Sequence, residues 1–278
     1  MSINRDKSTV NNLAKENIVE NLSNNIRIDG RKVNEVRELI VEPNIIEKAE
    51  GSAKVKLGNT EVVAGVKIQV GPPFGNSPNQ GILIVSAEIL PISMPNVELG
   101  PPSENVIELS RVVDRGIRES KMINLDDLVL LEGKSVYTVF VDVSVLNADG
   151  NLFDAVSYAA LVALSLTKFN KYKIDKEGNA VQTDTVIELP VKFTPISITQ
   201  IKIDDHIIVD PTAFEESLMN SRITLTADGD GNICAGQKGL AGPLSPEEII
   251  SCSKQVLLIS EKIKKILKKA IVNGKKEI

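Results

Sequence analysis

The run from Ser135 to Leu166 admits few structures. Ser135 to Leu146 is rich in β-branched and aromatic residues, which reads as a strand. Asn147-Ala148-Asp149-Gly150-Asn151 supplies turn chemistry, because Asp and Asn tolerate unusual backbone angles and Gly150 adopts them at little steric cost. Beyond it, Ala155, Ala159, Ala160, Leu161, Ala163 and Leu164 make a helix apolar on most sides, which implies burial. A strand, a tight turn and a buried helix can aim backbone N–H groups at an anion. This turn, however, carries Asp149 and Asp154 and no Arg or Lys, so a phosphate would meet repulsion there. As a phosphate cradle it is disarmed.

The 278-residue chain is long enough for a sizeable core, and 42% hydrophobic with 25% charged residues is ordinary globular composition. A net charge of −5 excludes attachment to nucleic acid by bulk charge, so any such site is a local patch. Cys234 and Cys252 are the only cysteines, which points to a reducing setting without a disulfide framework. With His206 as the sole histidine, a His-based triad or a multi-His metal site is barely possible. No apolar run approaches a membrane span, and the polar start Met1 to Lys7 is no secretory signal. The expectation is a soluble, cytoplasmic protein.

From the N-terminus, residues 8–22 have the spacing of a short amphipathic helix, through Leu13, Ile18, Val19 and Leu22. Ile26 to Arg31 is a charged turn, with Arg27 and Arg31 expected to be solvated or paired with nearby carboxylates. Val55, Leu57, Val62, Ala64, Val66, Ile68 and Val70 alternate with polar residues about a Gly58-Asn59-Thr60 turn, which predicts an antiparallel hairpin with one wet face. Gly71 to Pro102 reads as loop around a strand over Gly81–Leu90, and Pro95 to Pro102 as an exposed loop. Phe169 to Gln182 predicts a polar hairpin, and Val186 to Val209 several short strands limited by Pro190 and Pro195. Asp210 to Glu216 opens a short turn or helix, Arg222 to Ala227 a strand, and Asp228 to Asn232 a hairpin turn without EF-hand spacing. Ser245-Pro246-Glu247-Glu248 is a capping box opening a last amphipathic helix with a lysine-rich end.

Ser103 to Ile123 predicts the most informative helix, with Ser103 as its N-cap. Val106, Leu109, Val113 and Ile117 share one face, while Glu104, Glu108, Arg111, Arg115 and Arg118 fall together on the other. That stripe has two readings: intrahelical Glu–Arg pairs that compensate the helix dipole, or a row of guanidiniums aligned for phosphates. The element order, with strands clustered in runs, is that of an α+β architecture.

Ile28-Asp29-Gly30-Arg31, Gly51 to Val55 with Gly58-Asn59-Thr60, Glu108 to Arg118 and Asp142 to Leu164 together resemble the RNase PH-like family. Within it the chain is most similar to the non-catalytic ring subunits of the archaeal exosome. The resemblance spans residues 26 to 270 and implies a pseudo-duplicated α+β fold with two related β-sheet/helix subdomains. The expected division is an N-terminal helical extension (1–25), a first subdomain (26–190), and a second (191–278) that includes the C-terminal helix. It further implies a six-membered ring of three heterodimers alternating with a catalytic sibling, capped by RNA-binding subunits with OB-fold and KH modules. Such a ring degrades single-stranded RNA from the 3′ end with inorganic phosphate as nucleophile. No cofactor or metal is expected.

Departures from the catalytic pattern define the role. Active members carry a Gly-Gly-Ser/Thr-Arg turn, and the matching stretch here is Asp149 to Phe153, without the Arg. Their Arg-Arg pair before the helix Glu is Glu104 and Asn105 here, four and three residues before Glu108. Their acidic catalytic residue follows an acidic pair; after Glu215-Glu216 this chain has no carboxylate from Ser217 to Ile223. Phosphate needs fixed cationic donors, and Glu104 would repel it. The reading is a chain without catalytic residues that completes the sibling's site, with Arg111, Arg115 and Arg118 matching RNA-facing helix positions and Pro95 to Pro102 facing the channel. The alternatives are a stand-alone phosphorolytic exoribonuclease and a structural ring subunit that never touches RNA.

Overall fold

A computed structural model of the chain describes residues 15–276 except 96, 98 and 99. Helix α1 covers 15–23, so the predicted helix over 8–22 is seen in its later part, and Leu13 lies outside the described residues. Ile18 and Leu22 are buried against Ile201, Ile203 and Ile208, which pins the helix to the second sheet of the fold.

The first sheet is built from β1 (Leu39–Pro43), β2 (Gly51–Leu57), β3 (Thr60–Gly71), β4 (Ile82–Ile89), β5 (Val129–Leu131) and β6 (Ser135–Asn147). Its order is β1-β2-β3-β6-β4, with β5 also on β6. Along β3 the alternation in sequence becomes alternation in burial, with Val62, Ala64, Val66 and Ile68 inside. Gly58, at φ +58°, turns β2 into β3 in a conformation that costs glycine little. The sheet is not purely antiparallel as the hairpin alone suggested: β4 runs parallel to β6. Between them the chain crosses over through α2 (Glu104–Glu119), the kind of excursion a parallel partner requires.

Helix α2 stops short of the predicted Ile123 because Lys121 adopts a left-handed φ of +53° that the helix cannot continue through. Ser103 does stand at its N-cap, but its hydroxyl makes no capping bond. Helix α3 (Leu152–Ser165) is buried without a break from Phe153 to Leu164, as its apolar circumference predicted. It packs on β2 and β3 from one side and on the second sheet from the other.

That second sheet has the order β10-β9-β11-β12, from β9 (Ile196–Ile203), β10 (His206–Val209), β11 (Ser221–Ala227) and β12 (Ile233–Gly239). The hairpin β7 (Lys168–Ile174) and β8 (Ala180–Glu188) stands apart as a two-stranded ribbon. Helix α4 (Ala213–Glu216) is a single turn held by a Thr212–Glu215 capping box. Helix α5 (Pro246–Lys276) opens with the predicted box, Ser245 N–H to Glu248 Oε2 at 2.8 Å and Glu248 N–H to Ser245 Oγ at 3.2 Å. It lies over β9 and β11 and reaches β1, and one continuous apolar core joins both sheets from Leu39 to Leu267. This is the expected α+β fold.

Candidate anion site and nucleic-acid interface

The turn between β6 and α3 is tight because two residues take left-handed backbone, Gly150 at φ +81° and Asn151 at φ 50°. A Cβ on Gly150 would lie 2.4 Å from the carbonyl carbon of Thr212 and 2.5 Å from the nitrogen of Ala213. The turn therefore seats backbone to backbone against α4. That contact delivers Glu216 to the N-terminus of α3, where the Asn151 N–H donates to Glu216 Oε1 at 2.8 Å. A helix N-terminus attracts anions through its unpaired N–H groups and its dipole. Here the chain's own carboxylate fills that place. Burial pushes the Glu216 carboxyl above its usual range, against the Asn151 bond and the charges of Arg222 and Arg37.

No cation was visible in the turn's sequence, yet the fold brings two guanidiniums to it. Arg37 Nη1 donates to the Asp149 carbonyl at 2.7 Å, and Arg37 grips the Asp210 carboxylate with Nη2–Oδ1 at 2.8 Å and Nε–Oδ2 at 3.0 Å. Arg222 Nη2 donates to Glu108 Oε1 at 2.6 Å, and its guanidinium carbon sits 4.0 Å from the centroid of the Phe153 ring. Both charges are thus already engaged, and an incoming phosphate would have to displace a carboxylate from either. The turn itself carries no Arg or Lys, and the two guanidiniums that the fold brings to it are paired with Asp210 and Glu108.

Arg27 takes the paired alternative of the sequence reading, with Glu215 as its carboxylate. It is 2% exposed rather than solvated, and its carboxylate partner is remote in sequence. Nε donates to Glu215 Oε1 at 2.8 Å, Nη1 to the Val209 carbonyl at 2.8 Å and Nη2 to the Asp210 carbonyl at 2.9 Å, with Glu215 Oε2 also held by Nη2. Arg31 divides between Asp29 and Asp210, at 2.7 and 3.0 Å. Asp210 accepts from Arg37, Arg31 and Asn151, and although burial opposes its charge, Arg37 holds the carboxyl below the usual range. Asp154, on the first turn of α3, accepts from Asn151 Nδ2 at 2.8 Å, Thr199 N–H at 3.0 Å and Thr199 Oγ1 at 2.8 Å. Burial pushes its carboxyl up to about 7 in spite of those bonds. These contacts stitch α3 and the β1 approach to β9, β10 and α4.

Glu104 and Asn105 are exposed at the start of α2 and bring no cation to the turn. In the acid-free segment Ser217 to Ile223 the side chain that reaches the cluster is Arg222, paired with the helix residue Glu108. The carboxylate of this pair projects from α2, at the helix Glu of the family pattern, and the guanidinium from β11.

The row of arginines on α2 divides. Arg118 bonds Asp114 at 2.9 and 3.2 Å and donates to the Leu83 carbonyl at 3.2 Å. Arg111 and Arg115 are exposed, and neither pairs with a carboxylate among the described residues. The predicted Glu–Arg pairs within the stripe do not form, because Glu108 turns to Arg222 and Arg118 takes Asp114. A groove of about 350 Å³ runs beside Arg111 and Arg115, bounded by Glu104, Ile107 and Gln237. The loop Pro95 to Pro102 falls partly outside the described residues. His206 meets Ser23 of α1 at 3.3 Å, and both cysteines are free. Arg37, Asp210, Glu216 and Arg222 escaped the sequence reading, since each acts on residues far away along the chain.

Residues 35–170 match domain 1 and residues 194–255 match domain 2 of the 3′ exoribonuclease family, RNase PH. The exosome complex component Rrp42 of Thermococcus gammatolerans is 44% identical over 260 residues, covering 93% of this chain and 95% of the relative. Its counterpart in Thermoplasma acidophilum is 45% identical over 252 residues, covering 91% and 94%. Among solved structures, a chain of the Archaeoglobus fulgidus exosome with RNA bound to the active site superposes with a TM-score of 0.84 at 40% identity, covering 92% of this chain and 98% of that one. A chain of an archaeal exosome core gives 0.81 at 38% identity, covering 95% and 99%.

Proposed function

The chain belongs to the 3′ exoribonuclease (RNase PH) family, and from that premise we propose that it is the non-catalytic ring component of an archaeal exosome. In this reading it alternates with a catalytic sibling in a hexameric ring beneath RNA-binding caps, completes the sibling's active site from the neighbouring position, and grips RNA. The names borne by its relatives and the exosome structures it resembles support the assembly. The non-catalytic role rests on one observation: Glu216 occupies the α3 N-terminus, bonded to the Asn151 N–H at 2.8 Å. A phosphate dianion arriving there would face that carboxylate, while Arg37 and Arg222 stay committed to Asp210 and Glu108.

Arg111 and Arg115 are the side chains this reading assigns to RNA, with Arg118 in support. Guanidiniums free of carboxylate partners suit phosphates, which are read without regard to base and lose affinity steeply with salt. RNA decay with added phosphate is the test, run on this chain alone, the sibling alone and the two co-purified. Release of nucleoside diphosphates that appears or rises strongly only in the mixture supports the proposal. Robust release by this chain alone would establish the stand-alone exoribonuclease.

A further inference from the structure

We propose that Phe74 and Arg111 form a nucleotide subsite on this chain, in which Phe74 stacks one base of single-stranded RNA and Arg111 holds a neighbouring phosphate. The subsite rests on the reading above that RNA passes this chain, and it names where and by what chemistry.

Phe74 is 56% exposed, an aromatic ring left in water at the tip of the β3–β4 connection. The chain around it is held. Pro72 and Pro73 fix two backbone angles before it, and the Phe74 carbonyl accepts from Ser77 N–H at 2.9 Å. Further along, Gly133 N–H donates to the Pro78 carbonyl at 3.1 Å and Gly81 N–H to the Leu125 carbonyl at 2.8 Å. An exposed ring on a braced loop loses little freedom when a flat partner stacks on it, and every base offers such a face.

The ring borders a groove of about 500 Å³ lined by Phe74, Ile84, Ser86, Ile107, Arg111 and Arg118, within the size range of ligand sites. Asp114 also lines it, but Arg118 neutralises that carboxylate at 2.9 Å. Among the described residues, Arg111 is then the uncompensated charge on the wall. Apolar residues on the floor, one exposed aromatic and one unpaired guanidinium suit a base with its phosphate.

The groove runs along the edge of β4 that pairs with no strand among the described residues, where an extended peptide could add as a strand. Two of that edge's groups are already taken: the Ala87 N–H by Ser110 Oγ at 3.0 Å and the Leu83 carbonyl by Arg118 at 3.2 Å. A peptide ladder would have to break both, whereas a stacked nucleotide needs neither.

The chain has no tryptophan, so F74W introduces a reporter at the subsite. In the ring assembled with the catalytic sibling, oligoadenylate should quench the emission that F74W adds over the wild-type ring. Phe74→Ala should weaken oligoadenylate binding roughly tenfold, the effect of losing one aromatic stack, and Phe74→Tyr should restore it. If Arg111→Glu weakens RNA binding while F74W emission ignores RNA, the subsite is wrong and the RNA-gripping role survives. RNA affinity untouched by Arg111→Glu and by Phe74→Ala removes both. A change in F74W emission on adding the sibling, with no further change on adding RNA, places the ring in a protein contact and overturns the subsite.

Discussion

The backbone N–H of Asn151 donates to the carboxylate of Glu216 at 2.8 Å, so the N-terminus of α3 is closed by an anion the chain carries itself. Removing that anion exposes the N–H without supplying a free cation, since Arg37 and Arg222 remain paired with Asp210 and Glu108. Glu216→Ala should therefore lose about 1–2 kcal/mol of stability, the usual cost of an orphaned buried donor, in urea unfolding. It should also leave phosphorolysis by the isolated chain undetectable in a diphosphate-release assay.

Arg27 and Glu215 are a buried pair whose arginine also serves the carbonyls of Val209 and Asp210. Arg27→Met strands the Glu215 carboxylate in the interior. The loss should be about 3–5 kcal/mol in urea unfolding, far above that of an exposed pair such as Lys275–Glu188, where Lys275→Ala should cost under about 1 kcal/mol.

Asp154 makes the stability of the two-sheet junction depend on pH. Burial raises its folded pKa to about 7, and Asp210 adds repulsion, while Asn151 and Thr199 oppose the shift. The unfolded chain releases this proton near pH 4, the folded chain only near 7, so the stabilising contribution is complete below about 4 and is lost as pH rises to 7. Relative to Asp154→Asn, the wild type should lose up to about 1.4 kcal/mol per pH unit between pH 5 and 6.5, then level off above 8. Parallel urea titrations of the two proteins across that range measure it.

Arg111 and Arg115 should behave differently from Arg118 in the assembled ring. Arg111→Ala and Arg115→Ala should each weaken RNA binding across sequences and lower the slope of log affinity against log salt by about 0.7, the single-strand value per phosphate contact. Arg118→Ala should change that slope less, because its guanidinium is already committed to Asp114 and the Leu83 carbonyl. Filter binding over a salt series separates the two classes.

Local signals carried most of the architecture. The alternation about Gly58, the apolar circumference of α3 and the Ser245 capping box each involve residues close in sequence, and each gave its element. The parallel pairing of β4 with β6 was not legible, since nothing in either strand specifies which edge it joins. At the candidate site, Asp149 and Asp154 were legible in the turn, yet the groups that pair around them came from elsewhere. Glu216 meets Asn151 across 65 positions, Arg222 meets Glu108 across 114, and Arg37 meets Asp210 across 173. Such pairings depend on how the two sheets close over α3, which no local pattern encodes. The stripe on α2 was correctly placed on one face, but Asp114 and Arg222, outside it, chose its partners.

The central claim, that this chain contributes no phosphorolytic chemistry of its own, is tested most directly in the assembled ring. The ring would be built from this chain and a sibling whose catalytic carboxylate has been replaced by its amide, and nucleoside diphosphate release from single-stranded RNA measured with excess phosphate. The account predicts release indistinguishable from a phosphate-free control while RNA binding persists. Phosphate-dependent release from that ring, abolished when Glu216 or Asn151 is altered, would contradict it.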